Sequence, residues 1–467
     1  MPEPDQSTPG FPPEEPSKVV GDKPGEIVEE EKSEEEQKSV SFSWGILMVR
    51  TKKLLYLLDN LAKYRIFSPL GWAMLGITIA AAAFMIWLML DNSYILLTSS
   101  LNFRCLIGAA PSSQCQAQGL PTNPQLPLQS YLLLPGINPF IPVIYGLIGI
   151  IIAVVIHEGT HGVLARRFHL PVKSTGLLFF LIVPIGAFVE VDEKLVQKAR
   201  FRDSGRIMAG GPGSNIIVAA IALFLLLGLV GGLQPHIYNG IYVGSIITSS
   251  PADNLHLQGH FGTGDLITAV NGTQVESQQA LSNYMAHTSP NQSLILTVNH
   301  QGQPTNYTII LKANPSNKSI GFIGITDLMS SSDLTSIKNG YSSAITSPTR
   351  ATIYLVVPGI LPQAETVVPF SNTLNGLYTS PVLGSAWYPV ALTLFWIFFI
   401  NVNLAFFNAI PLYPLDGGQA LLNFFSHFGK KSVEVRAKAL TAVCSIVMLA
   451  LILTFLFLPR ILALIPL

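Results

Sequence analysis

Charge and cysteine are both scarce in this chain. Only 12% of its 467 residues are charged, and Lys+Arg and Asp+Glu balance at 27 each. A neutral chain has no net attraction for a polyanion, which argues against a nucleic-acid partner. Three cysteines at this length exclude a disulfide-rich scaffold. Glycine and proline follow no triplet period, which excludes a collagen-like chain. Long apolar runs are absent before residue 69, so no secretory leader is expected. What fills the chain instead is apolar: 49% of residues are hydrophobic. The class expected is a polytopic α-helical membrane protein with soluble inserts, in about two or three units by length.

Five stretches are long enough, or nearly so, to cross a bilayer: 69–90, 140–165, 207–233, 387–410 and 439–458. A spanning helix needs roughly 20 apolar residues. The apolar stretch 176–189 is too short for that, carries Pro184 and Gly186, and reads as extended chain. The short stretch 351–361 is expected at a membrane interface. Basic residues set the orientation. They crowd before the first span (Arg50, Lys52, Lys53, Lys63, Arg65), after the second (from Arg166 to Arg206) and after the fourth (Lys430, Lys431, Arg436, Lys438). The loops between carry few. All five spans then agree on a cytoplasmic N-terminus and an extracytoplasmic C-terminus. Cys105 and Cys115 fall in an outside loop, where an oxidising compartment would allow a disulfide. Cys444, inside the last span, reads as a packing residue. Four N-x-[ST] sequons, at Asn271, Asn291, Asn306 and Asn317, also fall on the outside.

The neutral total hides an asymmetry. Residues 1–41 hold 12 acidic and 4 basic side chains, a local charge of −8 that leaves +8 on the rest. This acidic tail is expected to be disordered and cytoplasmic. Residues 42–67 mix Trp44 and several leucines with basic residues and read as an amphipathic juxtamembrane helix. Residues 68–233 hold three spans and the short re-entrant segment; 328–385 read as a linker, and 386–467 as the last two spans. Between them, 236–327 alternates short β-like runs with one short helix at 277–287. Its Gly240-Ile-Tyr-Val-Gly, Pro251-Ala252 and Gly264-Asp265 to Asn271-Gly272 segments resemble a PDZ domain, a mixed α/β fold that can take an extended peptide as an added strand. The alternative is a spacer that binds nothing.

The sharpest chemical signal is His157-Glu158-Gly159-Thr160-His161 inside the second span. Positions i and i+4 share a helix face, so both imidazoles can address one metal with Glu158 beside them as general base. Zinc suits such ligands and takes a third from the protein. Three ionisable groups in five membrane residues are costly unless they have a function. Counting back about nine residues from Arg166 puts the site roughly 13 Å below the cytoplasmic end. Two sources could supply the third ligand: the acidic cluster Glu190, Asp192 and Glu193, or Asp416 in Asn408-Ala-Ile-Pro411-Leu-Tyr-Pro414-Leu-Asp416-Gly-Gly. Topology favours Asp416, because the second and fourth spans run in the same direction and end on the same side. Asn215, the polar residue in the small-residue start of the third span, could donate a hydrogen bond to a developing oxyanion or simply join two helices.

Taken together, His157-Glu158-x-x-His161, Gly211-Pro212-Gly-Ser-Asn215 and Asn408-x-x-Pro411-x-x-Pro414-Leu-Asp416-Gly-Gly resemble the site-2 protease family of intramembrane zinc metalloproteases. Pro184-Ile-Gly186-Ala-Phe188-Val189 looks like that family's re-entrant strand, with Ala187 where a second Gly is common. The resemblance implies one zinc per chain held by His157, His161 and Asp416, with Glu158 as acid/base and Asn215 lining the site. It implies that Gly186, Phe188 and Val189 pair with an unwound substrate, and that Asn408 and Pro411 help handle it. It implies five to six transmembrane helices and regulated intramembrane proteolysis of a single-span membrane protein already trimmed outside, with the PDZ-like domain as a filter. Other readings are a non-catalytic membrane adaptor with a peptide-binding PDZ-like domain, and a polytopic zinc protease of another family. The sequons and the possible disulfide fit an archaeal-like surface, so a prokaryotic plasma membrane is expected.

Overall fold

The computed structural model describes residues 40–43, 46–98, 134–138, 141–180, 183–235, 239–259, 261–300, 303–343, 376–427 and 431–463. All but the last two residues of the acidic tail, the Cys105 and Cys115 pair, and the 351–361 stretch lie outside them.

The described residues begin with a hairpin of β1 (Val40–Ser43) and β2 (Ile46–Thr51), followed by helix α1 (Leu55–Ala62). The amphipathic helix expected over 42–67 is therefore confined to its second half, where Leu58 and Ala62 share the buried face. The first half is extended because it finds a partner. β2 runs antiparallel to β3 (Val172–Phe180), with Leu47 opposite Phe179 and Thr51 opposite Thr175. β3 pairs in turn with β4 (Val183–Val191), so the expected extended segment is half of a four-stranded sheet in the order β1-β2-β3-β4. Apolar backbone at membrane depth must satisfy its N–H and C=O groups internally, and sheet pairing does so where a short helix could not span.

Helices α2 (Phe67–Thr98) and α3 (Val143–Arg167) are the first two long apolar elements. α3 starts at the extended Pro142 and ends in Arg166 and Arg167, where cations face the negative helix end. His169 then takes a positive φ of 63° and the Leu170 N–H returns to the Ala165 carbonyl, which closes the helix before Pro171. The short α4 (Glu193–Lys198) leads into α5 (Phe201–Gly231). α5 passes through Pro212 unbroken, and α2 supports it there: the Thr78 hydroxyl donates to the Ala209 carbonyl at 3.1 Å. Gly213 lets α2 in, since a Cβ there would stand 2.5 Å from Met74.

The insert runs through β5 (Gln234–Pro235), β6 (Ile241–Tyr242), β7 (Ser245–Ile246), α6 (Pro251–Leu257), β8 (Leu266–Val270), β9 (Thr273–Gln274), α7 (Gln278–Met285), β10 (Ser293–His300), β11 (Gln303–Ile310), β12 (Lys312–Ala313), β13 (Gly321–Phe322) and β14 (Ile325–Thr326). The mixed α/β unit holds a second helix, α6, besides the one read at 277–287, and more short strands than the sequence reading named. Local chemistry explains the boundaries. Ser250 and Ser277 cap α6 and α7 by accepting from Asp253 N and Ala280 N. Asn271 and Gly272, both at positive φ, turn β8 into β9. On β10, Leu294, Leu296 and Val298 are buried while Ile295 is exposed, the two-residue period of a half-buried strand.

The expected linker contains a helix, α8 (Ser331–Ser342), and β15 (Tyr378–Thr379), which pairs with β5. Tyr378 donates its hydroxyl to the Leu334 carbonyl at 2.7 Å, and Trp387 Nε1 donates to the Tyr378 carbonyl at 3.2 Å. Burial pushes the Tyr378 phenol above its ordinary range, so it stays a donor. Helices α9 (Trp387–Ala409), α10 (Asp416–His427) and α11 (Lys431–Ala463) complete the chain.

Among the described residues, five helices are long and apolar enough to cross a membrane, within α2, α3, α5, α9 and α11. α3, α5 and α9 pack mutually at the centre. Gly149 makes the α3–α9 approach possible, because a Cβ there would lie 2.9 Å from the Trp396 carbonyl. α2 lies against α5 and α9, and α10 joins α5 to α11.

Candidate metal centre

His157 and His161 occupy adjacent turns of α3 on the face turned to α5, and both are buried. Their ring centroids are 4.9 Å apart. Asp416 is brought to them from the far end of the chain. α9 stops at Ala409, and the segment 410–415 turns back sharply before α10 begins at Asp416. Gly417 and Gly418 permit that turn: Cβ atoms there would lie 2.2 Å from the Ala409 carbonyl and 2.3 Å from Tyr413 N. Asp416 Oδ2 thereby reaches His157 Nε2 at 2.9 Å and His161 Nε2 at 3.3 Å. As the first residue of α10, its carboxylate also sits at the positive helix end.

These three ligand atoms lie within 4.8 Å of one another, and they form the one such cluster found among the described residues. Two of the three carboxylates of the rival acidic cluster are engaged elsewhere. Glu190 accepts from the Ser174 hydroxyl at 2.6 Å and Asp192 pairs with Lys173 at 3.2 Å.

The set fits a metal on two further observations. His161 Nδ1 lies 2.7 Å from the Ile207 carbonyl, which holds its proton on Nδ1 and leaves Nε2 to face the cluster. Gly211 of α5 faces both rings: a Cβ would stand 2.4 Å from His161 Nε2 and 2.5 Å from His157 Nε2. The ligand face is open because residue 211 has no side chain. Two imidazoles and one carboxylate are the donor set of an open, catalytic type of zinc site.

Glu158 adjoins the cluster and accepts from the Val189 N–H at 3.1 Å, which ties it to β4. Gly186 and Val189 lie on β4 opposite Leu178 and Thr175. The Phe188 ring crosses onto β3, since a Cβ at Gly176 would meet it at 2.4 Å, and the Arg50 guanidinium lies 5.9 Å from its centroid. Asn215 is fully buried, with Nδ2 at 3.3 Å from His157 Nδ1. Asn408 donates its amide to the Leu404 carbonyl at 3.0 Å and, with Pro411, lies on the chain leading into the Asp416 turn. The sequence marks Gly211 only as part of the Gly211-Pro212-Gly-Ser-Asn215 motif and Val189 only as a strand residue, and neither the opening at residue 211 nor the bond from Val189 to Glu158 is visible in it. The spacing of Gly211, four residues before Asn215 on one helix face, was the available signal.

Comparison with known proteins agrees with this geometry. The profile of peptidase family M50 matches residues 145–453. A protein of Methanocaldococcus jannaschii, "Uncharacterized protein MJ0971", is 25% identical over 374 residues, covering 80% of this chain and 75% of its own. "Putative zinc metalloprotease LL2128" of Lactococcus lactis is 25% identical over 257 residues, covering 52% of this chain and 53% of its own. Among solved structures, the PDZ domain of an SdrC-like protein from Listeria monocytogenes is 24% identical and covers 20% of this chain and 92% of that domain, with a TM-score of 0.17. The family match extends over the two histidines, the glycine-rich turn of α5 and Asp416 alike, and the chain belongs to peptidase family M50 as an integral membrane metalloprotease.

Proposed function

We propose that this protein is an intramembrane zinc metalloprotease that hydrolyses a peptide bond within or beside a transmembrane helix of a single-span substrate. The observation that carries this reading is the convergence of His157, His161 and Asp416, with Glu158 alongside, on helices apolar enough to lie in a bilayer. Zinc held by those three residues would supply Lewis acidity to water and to the scissile carbonyl. Glu158 takes a proton from the attacking water and returns it to the leaving amine nitrogen. A helical substrate hides its amides in internal bonds, so it must unwind before attack. β4 is an edge strand among the described residues and runs past Glu158, so it can offer pairing to the unwound segment. Asn408 and Pro411 are assigned to handling that segment at the turn before Asp416. The basic residues flanking α2, α3 and α10 support a cytoplasmic N-terminus, with the PDZ-like insert on the other side.

The test is cleavage in detergent of a single-span substrate trimmed on its outer side and weakened by helix-breaking residues. The expected result is a cut within the span by wild type, abolished by a zinc chelator and by Glu158→Gln, with Glu158→Gln still binding zinc. Cleavage that survives in Glu158→Gln would remove the glutamate from the reaction and sink this reading.

A further inference from the structure

We infer that Asn215 is a positioning residue for His157, its amide oxygen accepting the Nδ1–H of that imidazole so that Nε2 faces the metal. This rests on the zinc-site reading above. The sequence admitted an oxyanion donor or a helix–helix contact at this position; the geometry points to a third role.

The side chain is fully buried, and it meets the ligand itself: Nδ2 is 3.3 Å from His157 Nδ1. Its Oδ1 is buried with no hydrogen-bond partner among the described residues. A neutral imidazole that turns the lone pair of Nε2 to a metal carries its proton on Nδ1. That proton needs an acceptor, and an NH2 group is not one. A half-turn about the last side-chain bond exchanges the two ends of the amide. Oδ1 then stands where Nδ2 stood, within reach of Nδ1–H. The two ends are nearly equal in size, so the rotation needs no repacking.

His161 shows the same arrangement already in place, with Nδ1 at 2.7 Å from the Ile207 carbonyl. Both acceptors lie on one stripe of α5. Residues 207, 211 and 215 are spaced by four and share a helix face. Helical carbonyls point toward the C-terminus and side chains lean toward the N-terminus. The Ile207 carbonyl and the Asn215 amide therefore converge on the level of Gly211. The missing Cβ of Gly211 admits both rings there. One helix thus supplies an opening and an acceptor on each side of it. Each ring takes the acceptor on its own side, His161 from residue 207 and His157 from residue 215. An amide bound to His157 through its oxygen acts through the ligand and not on the reacting carbonyl.

The experiment measures zinc affinity of the full chain in detergent by competition with a chromophoric chelator. Wild type is compared with Asn215→Leu and Asn215→Asp, and with Asn215→Ala if the leucine variant does not fold. Size-exclusion profiles and thermal unfolding report the fold. Removal of the acceptor is expected to weaken zinc binding about 10- to 100-fold. Asn215→Asp retains an acceptor and is expected to bind zinc close to wild type. Wild-type affinity in the leucine or alanine variant overturns the inference, and so does an equal loss in Asn215→Asp. A wild type that binds no zinc would instead overturn the metalloprotease reading on which it rests.

Discussion

At the scale of the residue, the site depends as much on an absent side chain as on the ligands. Gly211 stands against both Nε2 atoms, and a methyl group there would lie well inside van der Waals contact. Gly211→Ala should favour the helix by up to about 1 kcal/mol in propensity. Overpacking against two buried rings costs typically about 1–3 kcal/mol. The net is a loss of stability of up to about 2 kcal/mol, whereas the metal site has no compensating gain at all. The expected outcome is a folded protein with little bound zinc, read by metal analysis beside a thermal unfolding curve. Full zinc occupancy in Gly211→Ala would mean that α5 can retreat from α3. The three residues that converge were legible in the sequence, the histidine pair from the helical period and Asp416 as the candidate that the inferred topology favours. Gly211 was not, because its neighbours on α3 lie some fifty positions away and nothing local marks them.

At the scale of the element, the four-stranded sheet is the part least visible in the sequence. The leucines and basic residues of 42–67 satisfy a helical reading, and a helix, α1, occupies only Leu55–Ala62 of it. The first half became β1 and β2 because β3 offers an edge, a choice that no local window contains. The sheet also ends in β4, where the Val189 N–H points away from β3 to Glu158. Proline is tolerated on an edge strand whose N–H leaves the ladder. Val189→Pro should therefore keep the sheet and zinc binding while removing the donor that holds Glu158. A hydrogen bond to a charged group is worth about 1.5–3 kcal/mol. Single-turnover rates should fall by about one to two decades, with substrate binding less affected. An unchanged rate would show that this amide does not hold the glutamate during cleavage.

At the scale of the whole molecule, the insert and the membrane helices meet around Tyr242, Leu266, Leu334, Tyr378 and Trp387, which belong to one buried cluster with α5 and α9. The insert is therefore packed against α5 and α9, and its proposed role as a filter on substrate size can be tested by removing it. Deleting 236–327 should let untrimmed substrates be cut as fast as trimmed ones; a preserved preference would end the filter idea. Orientation can be read with a membrane-impermeant thiol reagent on a variant lacking the three native cysteines. Gln279→Cys should be labelled from outside intact cells and Lys53→Cys only after lysis, and the reverse pattern would invert the topology. The sequence by itself determined the five long apolar helices, the histidine pair with its glutamate, and the α/β insert. Each of these follows from local composition or from a period of 2 or 3.6 residues. Only the tertiary structure decided the extent of the sheet, the opening at Gly211, the hold of β4 on Glu158 and the acceptors behind the two imidazoles. Those depend on which backbone comes within a few ångströms of which ring, and helix packing sets that between residues far apart in the chain.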